Sequence, residues 1–122
     1  MRQDAHSTAV GKAMLAYKSF EELKEIYKSY ALYRHTENTI SSLDKLFLQL
    51  RRVKADGYSI NEAETFNYVY GVGAPILDRQ NRAIAAISLS GTKGTINMHT
   101  IPDLAEKLTM TSKEISITIT KD

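Results

Sequence analysis

The 122-residue chain lacks cysteine and tryptophan, has only two prolines and six glycines, and carries nearly balanced charge. Without cysteine there is no disulfide framework and no thiol chemistry, which fits a cytoplasmic protein. No apolar run approaches the roughly 20 residues that span a bilayer, so we expect no membrane partner. The N-terminal sequence MRQDAHS is polar and unlike a signal peptide.

The charge distribution does not indicate a nucleic-acid surface. The formal net charge is +2, and the basic residues are spread along the chain apart from Arg51, Arg52 and Lys54. These three are expected on the solvated face of a helix. With 43% hydrophobic and 25% charged residues, the chain is expected to form one domain, residues 1–122, around a modest core.

Hydrophobic spacing predicts three helices in the first half of the chain and one at its end. The first covers 7–17, with Ser7 or Thr8 as its N-cap. The second follows the capping box formed by Ser19 and Glu22, and the third begins near Ser41 and ends at Gly57. A final helix starts near Pro102, although its isoleucines also alternate as they would in a strand.

Three segments between these helices are predicted as strands: Tyr58–Asn61, Val69–Leu77 and Ala83–Ser90. The polar segment 78–82 is typical of a hairpin turn, so the last two strands should be antiparallel. The apolar start of the third strand, 83–87, predicts cover on both of its faces. The fold class is therefore α+β, an antiparallel sheet flanked by helices.

Small and polar residues occupy this sheet where a packed core would have large ones. Gly71, Gly73 and Ala74 are expected to leave room above the sheet. Ser88 and Ser90 alternate with apolar residues, so both hydroxyls should point to one face. Such a face suits a small polar ligand better than close packing.

Motifs for catalysis, cofactors and metals are weak. The segment His6–Lys12, HSTAVGK, lacks the first glycine and the final Ser or Thr of a phosphate-binding loop. No nucleophile elbow is visible, and His6, His35 and His99 lack metal-ligand spacing. We therefore expect no enzyme, no cofactor and no metal, with His35 and His99 in surface loops.

Four blocks nevertheless follow one another in a recognisable order. They are the His6–Ala13 block, HSTAVGKA, the pair Gly57–Tyr58, the strand Ala74–Asp78, and the strand Ser88–Gly91. In these blocks the chain resembles the C-terminal, effector-binding domain of IclR-type bacterial transcription regulators. The blocks span nearly the whole chain.

The resemblance implies a GAF-like or profilin-like domain whose six-stranded sheet begins upstream of the His6–Ala13 block. Residues 1–122 would then be a partial domain, truncated at its N-terminal strands. The winged helix-turn-helix would also be absent, so the chain would reach DNA only through that missing domain. An open sheet edge favours a homo-oligomer in which another copy completes the sheet.

The resemblance also implies a site and a function. The ligand-binding residues would be Ala9, Val10, Asn61, Gly71, Ser88 and Ser90. They would bind a small organic or sugar acid, a carboxylate effector that modulates DNA binding. Asn61 stands where the family has an acid, and Gly71 where it has cysteine or a small residue.

Several alternatives stay open at this stage. Asn61 could simply end a strand, Gly71 could be a bulge glycine, and the rings of Tyr68 and Tyr70 could either enter the site or pack on a helix. The chain could also be an oligomerisation remnant that binds no ligand.

Overall fold

The computed structural model describes residues 4–120 and has four α-helices and three strands. A 3₁₀ turn at Ala5–Ser7 precedes the first helix. The α-helices are α1 (Ala9–Leu15), α2 (Phe20–Ser29), α3 (Leu43–Asp56) and α4 (Ile101–Thr120). The strands are β1 (Ser59–Glu62), β2 (Tyr70–Leu77) and β3 (Ala83–Gly91). The predicted α+β class is confirmed.

The predicted helix over 7–17 is interrupted, which corrects the sequence interpretation. Thr8 has extended backbone angles, so the 3₁₀ turn ends there and α1 starts one residue later. The hydroxyl of Thr8 accepts from the backbone N–H of Gly11 and is the N-cap of α1. A β-branched residue with a side-chain acceptor suits this position, because it favours extended backbone and satisfies a free N–H.

The remaining helix ends agree with their sequence signals. Ser19 and Glu22 form both hydrogen bonds of the capping box. Gly57 ends α3 in the left-handed conformation, with φ of 86°. The final segment is a helix throughout, and its buried residues Ala105, Leu108 and Ser112 recur at helical spacing. No helix within residues 4–120 is long and apolar enough to cross a membrane.

The three strands form one antiparallel sheet in the order β1-β2-β3. Its two faces pack against different helices. Val72 and Ala74 of β2 face α4 and join a core with Leu108, whereas α1 lies over the opposite face. A second core joins the helices, with Leu23, Leu46 and Leu50 at its centre.

This arrangement corrects two sequence predictions. Ala74 does not leave room beside Gly71 and Gly73; it alternates with Gly73 and is fully buried against α4. The predicted two-sided cover of β3 is also wrong for the described part of the chain, since Ile84 is 49% exposed. Within residues 4–120, β3 is an edge strand that pairs only with β2, so its neighbours cover it incompletely.

Candidate ligand-binding cleft

A cleft of about 260 Å³ lies between the start of α1 and the sheet. All six residues predicted as ligand-binding line it, together with four others that the sequence did not indicate. The ten residues are Thr8, Ala9, Val10, Asn61, Thr65, Phe66, Val69, Gly71, Ser88 and Ser90. Their role in binding stays a prediction, but the structure brings them to one place.

Strand register creates the floor of the cleft. Asn61, Gly71 and Ser90 are direct neighbours across β1, β2 and β3. Ser59, Gly73 and Ser88 form the next such row on the same face. Residues two apart on a strand share a face, so the two rows form a patch of small and polar side chains.

Gly73 allows the start of α1 to approach the sheet. A Cβ atom at Gly73 would lie 2.5 Å from the carbonyl oxygen of Ala9, closer than real contacts allow. The hydroxyl of Ser59 donates to the same carbonyl at 2.5 Å. Gly73 and Ser59 therefore fix the distance between the start of α1 and the sheet.

Gly71 has a different role. It is buried in regular pairing with Asn61 and Ser90, so the bulge interpretation is wrong; the register shift lies at Ile76 and Leu77 instead. A Cβ at Gly71 would lie 3.5 Å from the Ala9 Cβ atom and 3.7 Å from the Ser90 hydroxyl, which are ordinary contacts, and 3.3 Å from the Leu89 carbonyl oxygen, which is a tight one. The absent side chain therefore leaves space at the floor of the cleft on the side of Ala9 and Ser90.

The Asn61 side chain is oriented by the loop that follows it. Its Oδ1 atom accepts from the backbone N–H of Glu64 at 2.9 Å, which assigns the amide because an N–H requires an acceptor. The amino group Nδ2 is thus left to donate to a ligand. Asn61 lies inside β1 and does not end the strand.

The hydroxyls of Ser88 and Ser90 are accessible from the cleft. Both serines are exposed on β3. Within residues 4–120 neither side chain hydrogen-bonds to another protein group. Each hydroxyl can therefore donate to or accept from a ligand without breaking an existing bond.

A buried ion pair fixes the wall of the cleft to the loop after β1. The Lys12 ammonium, on α1, contacts Glu64 Oε2 at 2.7 Å and Oε1 at 2.9 Å, and it also donates to the carbonyl of Ile60. Both side chains are almost fully buried. Burial lowers the pKa of Lys12 from its ordinary value, while the adjacent Glu64 carboxylate opposes that shift.

The connection between α2 and α3 also holds this loop. Thr36 and Asn38 donate to the carbonyls of Ala63 and Glu62, at 2.6 Å and 2.9 Å. Thr39 donates to the carbonyl of Glu64. The loop is thus held from two sides, and the Asn61 side chain, which accepts from the Glu64 N–H of this loop, has a defined position.

The rings of Tyr68 and Tyr70 do not line the cleft, and neither does His6. Tyr68 is 69% exposed and stacks on Phe66, while Tyr70 packs on the face occupied by α4. His6 is buried, and its Nε2 atom donates to the carbonyl of Tyr33 at 2.8 Å. The sequence missed Thr8, Thr65, Phe66 and Val69, of which only Thr8 had a signal, as a possible N-cap beside two predicted wall residues.

Solved structures that share this arrangement define the class of protein. The fold is that of regulatory domains of bacterial transcription factors. The Thermotoga maritima IclR structure superposes with a TM-score of 0.90 at 32% identity, over 97% of this chain and 48% of that one. An inducer-binding domain of the PobR transcription factor from Acinetobacter, in complex with 3-hydroxybenzoic acid, gives a TM-score of 0.85 at 25% identity. That match covers 93% of this chain and 66% of that domain.

The sequence then identifies the family. The family model "Bacterial transcriptional regulator IclR C-terminal" matches residues 1–117, and the chain belongs to this family. The transcriptional regulator KdgR of Dickeya chrysanthemi is 37% identical over 89 residues, which cover 73% of this chain. The matched region is 29% of the length of that regulator, so the chain matches only part of it.

Proposed function

We propose that the cleft binds a small organic or sugar acid, and that its occupancy modulates DNA binding by a helix-turn-helix domain outside this chain. The observation that carries the proposal is the row formed by Asn61, Gly71 and Ser90. This row combines an amide donor, an open space and a hydroxyl directly beneath the start of α1.

The chemistry of the lining supports a carboxylate ligand. The amino group of Asn61 and the hydroxyls of Ser88 and Ser90 can donate to carboxylate oxygens. None of the ten lining residues is acidic, so nothing in the lining repels an anion. Phe66 and Val69 offer apolar contact for a carbon skeleton.

The size of the cleft supports a small ligand. Its volume of about 260 Å³ lies below the range of roughly 300–1,000 Å³ that is common for drug-sized ligands. The Acinetobacter domain was solved with 3-hydroxybenzoic acid, a small aromatic acid. That complex supports the same chemical class here.

The Lys12–Glu64 pair gives a route by which ligand binding in the cleft could change the conformation of the rest of a regulator. A ligand between Ala9 and Asn61 contacts both elements that this pair joins. We propose that the ligand favours one spacing of α1 and the loop, since only such a preference can shift a conformational equilibrium.

We further propose that the chain works as a non-catalytic cytoplasmic module and assembles as a homo-oligomer. The curated relatives are named as transcriptional regulators. Exposed apolar side chains on β3 and α4 support self-association, among them Ile84, Leu89 and Ile117. Light scattering after size-exclusion chromatography should give a mass above the 13.7 kDa of one chain.

The proposed function is tested by a thermal-shift panel of hydroxybenzoates, small aliphatic acids and sugar acids. A ligand that binds only the folded state stabilises it by about 2.7 kcal/mol at one hundred times Kd, so the midpoint should rise with dose. The uncharged amide of each active acid is the control compound and should give a much smaller rise.

One substitution tests the assigned orientation of Asn61. Asn61→Asp keeps an oxygen acceptor for the Glu64 N–H, removes the amino donor and adds a negative charge. It should weaken carboxylate binding at least about tenfold, because like charges in one site repel. Asn81→Asp makes the same change on the exposed hairpin turn and should leave the affinity unchanged.

A well-folded oligomer with no shift across the panel would contradict the proposal. That result would favour the alternative of an oligomerisation module that binds no ligand.

A further inference from the structure

Two segments that are distant in sequence bring together, outside the cleft, three side chains of types that can ligate a metal. Asp4 and His6 lie at the 3₁₀ turn before α1, and His35 lies in the connection between α2 and α3. One ligand atom from each lies within 4.8 Å of the others. The cluster contains two imidazoles and one carboxylate.

His6 is held as metal-binding histidines commonly are. Its side chain is buried, and its Nε2 atom donates to the Tyr33 carbonyl at 2.8 Å. A carbonyl only accepts, so the proton of the neutral ring is on Nε2 and the lone pair is on Nδ1. A histidine with one nitrogen anchored to a backbone carbonyl and the other free to coordinate is the common second-shell arrangement of metal sites.

Asp4 and His35 supply the other two ligand atoms on the solvent side. Asp4 Oδ2 and His35 Nε2 are 2.7 Å apart, and their side chains are 46% and 33% exposed. Around a tetrahedral zinc ion with bonds of 2.0–2.1 Å, neighbouring ligand atoms lie about 3.4 Å apart. Two partly exposed side chains can open by that amount without disturbing a packed core.

The donor set indicates the kind of ion. Two imidazole nitrogens and a carboxylate oxygen suit zinc and neighbouring first-row divalent metals, whereas Mg²⁺ and Ca²⁺ prefer an all-oxygen shell. We propose that Asp4, His6 and His35 form a binding site for a Zn²⁺-type divalent ion, with a further coordination position open to water or another ligand. This site is separate from the proposed cleft, none of whose lining residues belongs to it.

A bound ion would cross-link two segments that lie about 30 residues apart in the sequence. Asp4 and His35 are 31 positions apart, and the ion would tie the segment that precedes α1 to the connection that supports the loop after β1. Binding to the folded state alone would raise the thermal midpoint. The alternative is that Asp4 and His35 form only an ion pair, and the experiment below separates the two.

The test is a Co²⁺ titration of tag-free, EDTA-treated protein followed by visible absorption, with Zn²⁺ then added as competitor. We expect saturation at one ion per chain, d–d bands that Zn²⁺ abolishes, and at least about a tenfold loss of affinity in both His35→Gln and Asp4→Asn. Both substitutions are at partly exposed residues, so folding should survive. His99→Gln, at an exposed histidine outside the cluster, is the matched control and should bind as the unsubstituted chain does.

A second measurement uses the thermal midpoint. Stoichiometric Zn²⁺ should raise it in the unsubstituted chain and in His99→Gln, and leave it unchanged in His35→Gln. The absence of saturable Co²⁺ binding would overturn the proposal, and so would equal binding in His35→Gln or an equal loss in His99→Gln. Neither result depends on whether the cleft binds an acid.

Discussion

The two faces of the sheet are built from alternate residues of the same strand, yet they do different things. On the α4 face, Val72 and Ala74 are fully buried with Leu108 in a continuous apolar core. On the α1 face, Gly71 and Gly73 carry no side chain, and the space above Gly71 is a cleft.

The difference shows how one strand can stabilise a domain and expose a binding surface at once. Apolar burial, at roughly 25 cal/mol per Å², holds the α4 face. The α1 face lacks large apolar side chains at its floor, and α1 is joined to it by Ser59 and by the Lys12–Glu64 pair. The first face therefore depends on packing and the second on specific polar contacts.

The largest effect should follow from breaking the ion pair on the cleft face. Lys12→Met leaves Glu64 as a buried charge without its partner, and the expected loss is about 3–5 kcal/mol of unfolding free energy, measured by urea denaturation. The double variant Lys12→Met/Glu64→Leu removes both charges and should recover much of that loss. Equal destabilisation of the single and double variants would show that the charge is not the cause.

A somewhat smaller effect is expected from a cavity on the packed face. Leu108→Ala should reduce the unfolding free energy by about 2–5 kcal/mol, because a buried side chain is lost and its neighbours only partly close the gap. At temperatures where the variant is folded, its affinity for a cleft ligand should equal that of the unsubstituted chain. A tenfold weaker affinity in Leu108→Ala would mean that the two faces are not independent.

The two glycines of the cleft face should respond differently to the same added methyl group. Gly73→Ala forces a Cβ to within 2.5 Å of the Ala9 carbonyl oxygen and should cost about 1–3 kcal/mol by calorimetry. Gly71→Ala places its Cβ 3.3 Å from the Leu89 carbonyl oxygen, a tight contact that a small shift relieves, so it should cost less stability than Gly73→Ala while ligand affinity falls. A larger stability loss in Gly71→Ala than in Gly73→Ala would refute this assignment of roles.

The smallest change in stability is expected when the hydroxyls of Ser88 and Ser90 are removed. Ser88→Ala and Ser90→Ala should alter the unfolding free energy by no more than about 0.5 kcal/mol, since neither hydroxyl bonds to the protein within residues 4–120. Each should weaken binding of a carboxylate by about threefold to tenfold, as expected for one hydrogen bond. Ser29→Ala, an exposed serine at the end of α2, is the control.

Local signals in the sequence predicted much of the fold. The capping box at Ser19, the stop at Gly57 and the alternation of Ser88 with Ser90 depend on a few neighbouring residues, and all appear in the structure. The prediction for Ala74 was wrong because the same alternation, applied to Gly73, places Ala74 on the opposite face. Among the six candidate ligand-binding residues, Gly71, Ser88 and Ser90 were indicated by residue size and alternation as well as by the family resemblance, and Ala9, Val10 and Asn61 by the resemblance alone. All six converge on one cleft.

Other features depend on contacts between distant residues, which periodicity does not reveal. The row joining Asn61, Gly71 and Ser90 requires the strand register. The cluster of Asp4, His6 and His35 requires the path of the α2–α3 connection, and no ligand spacing along the chain indicates it. The incomplete cover of β3 follows from its place at the edge of the described sheet and not from its apolar sequence.

The partner of Lys12 also matters during synthesis. Glu64 lies 52 positions downstream, so at roughly 5–20 residues per second the ribosome adds it about 3–10 s after Lys12. Through that interval the lysine of α1 has no carboxylate to neutralise it in a buried position. In the nascent chain α1 must therefore stay hydrated until β1 and its loop have emerged, so it can dock onto the sheet only after they have been synthesised.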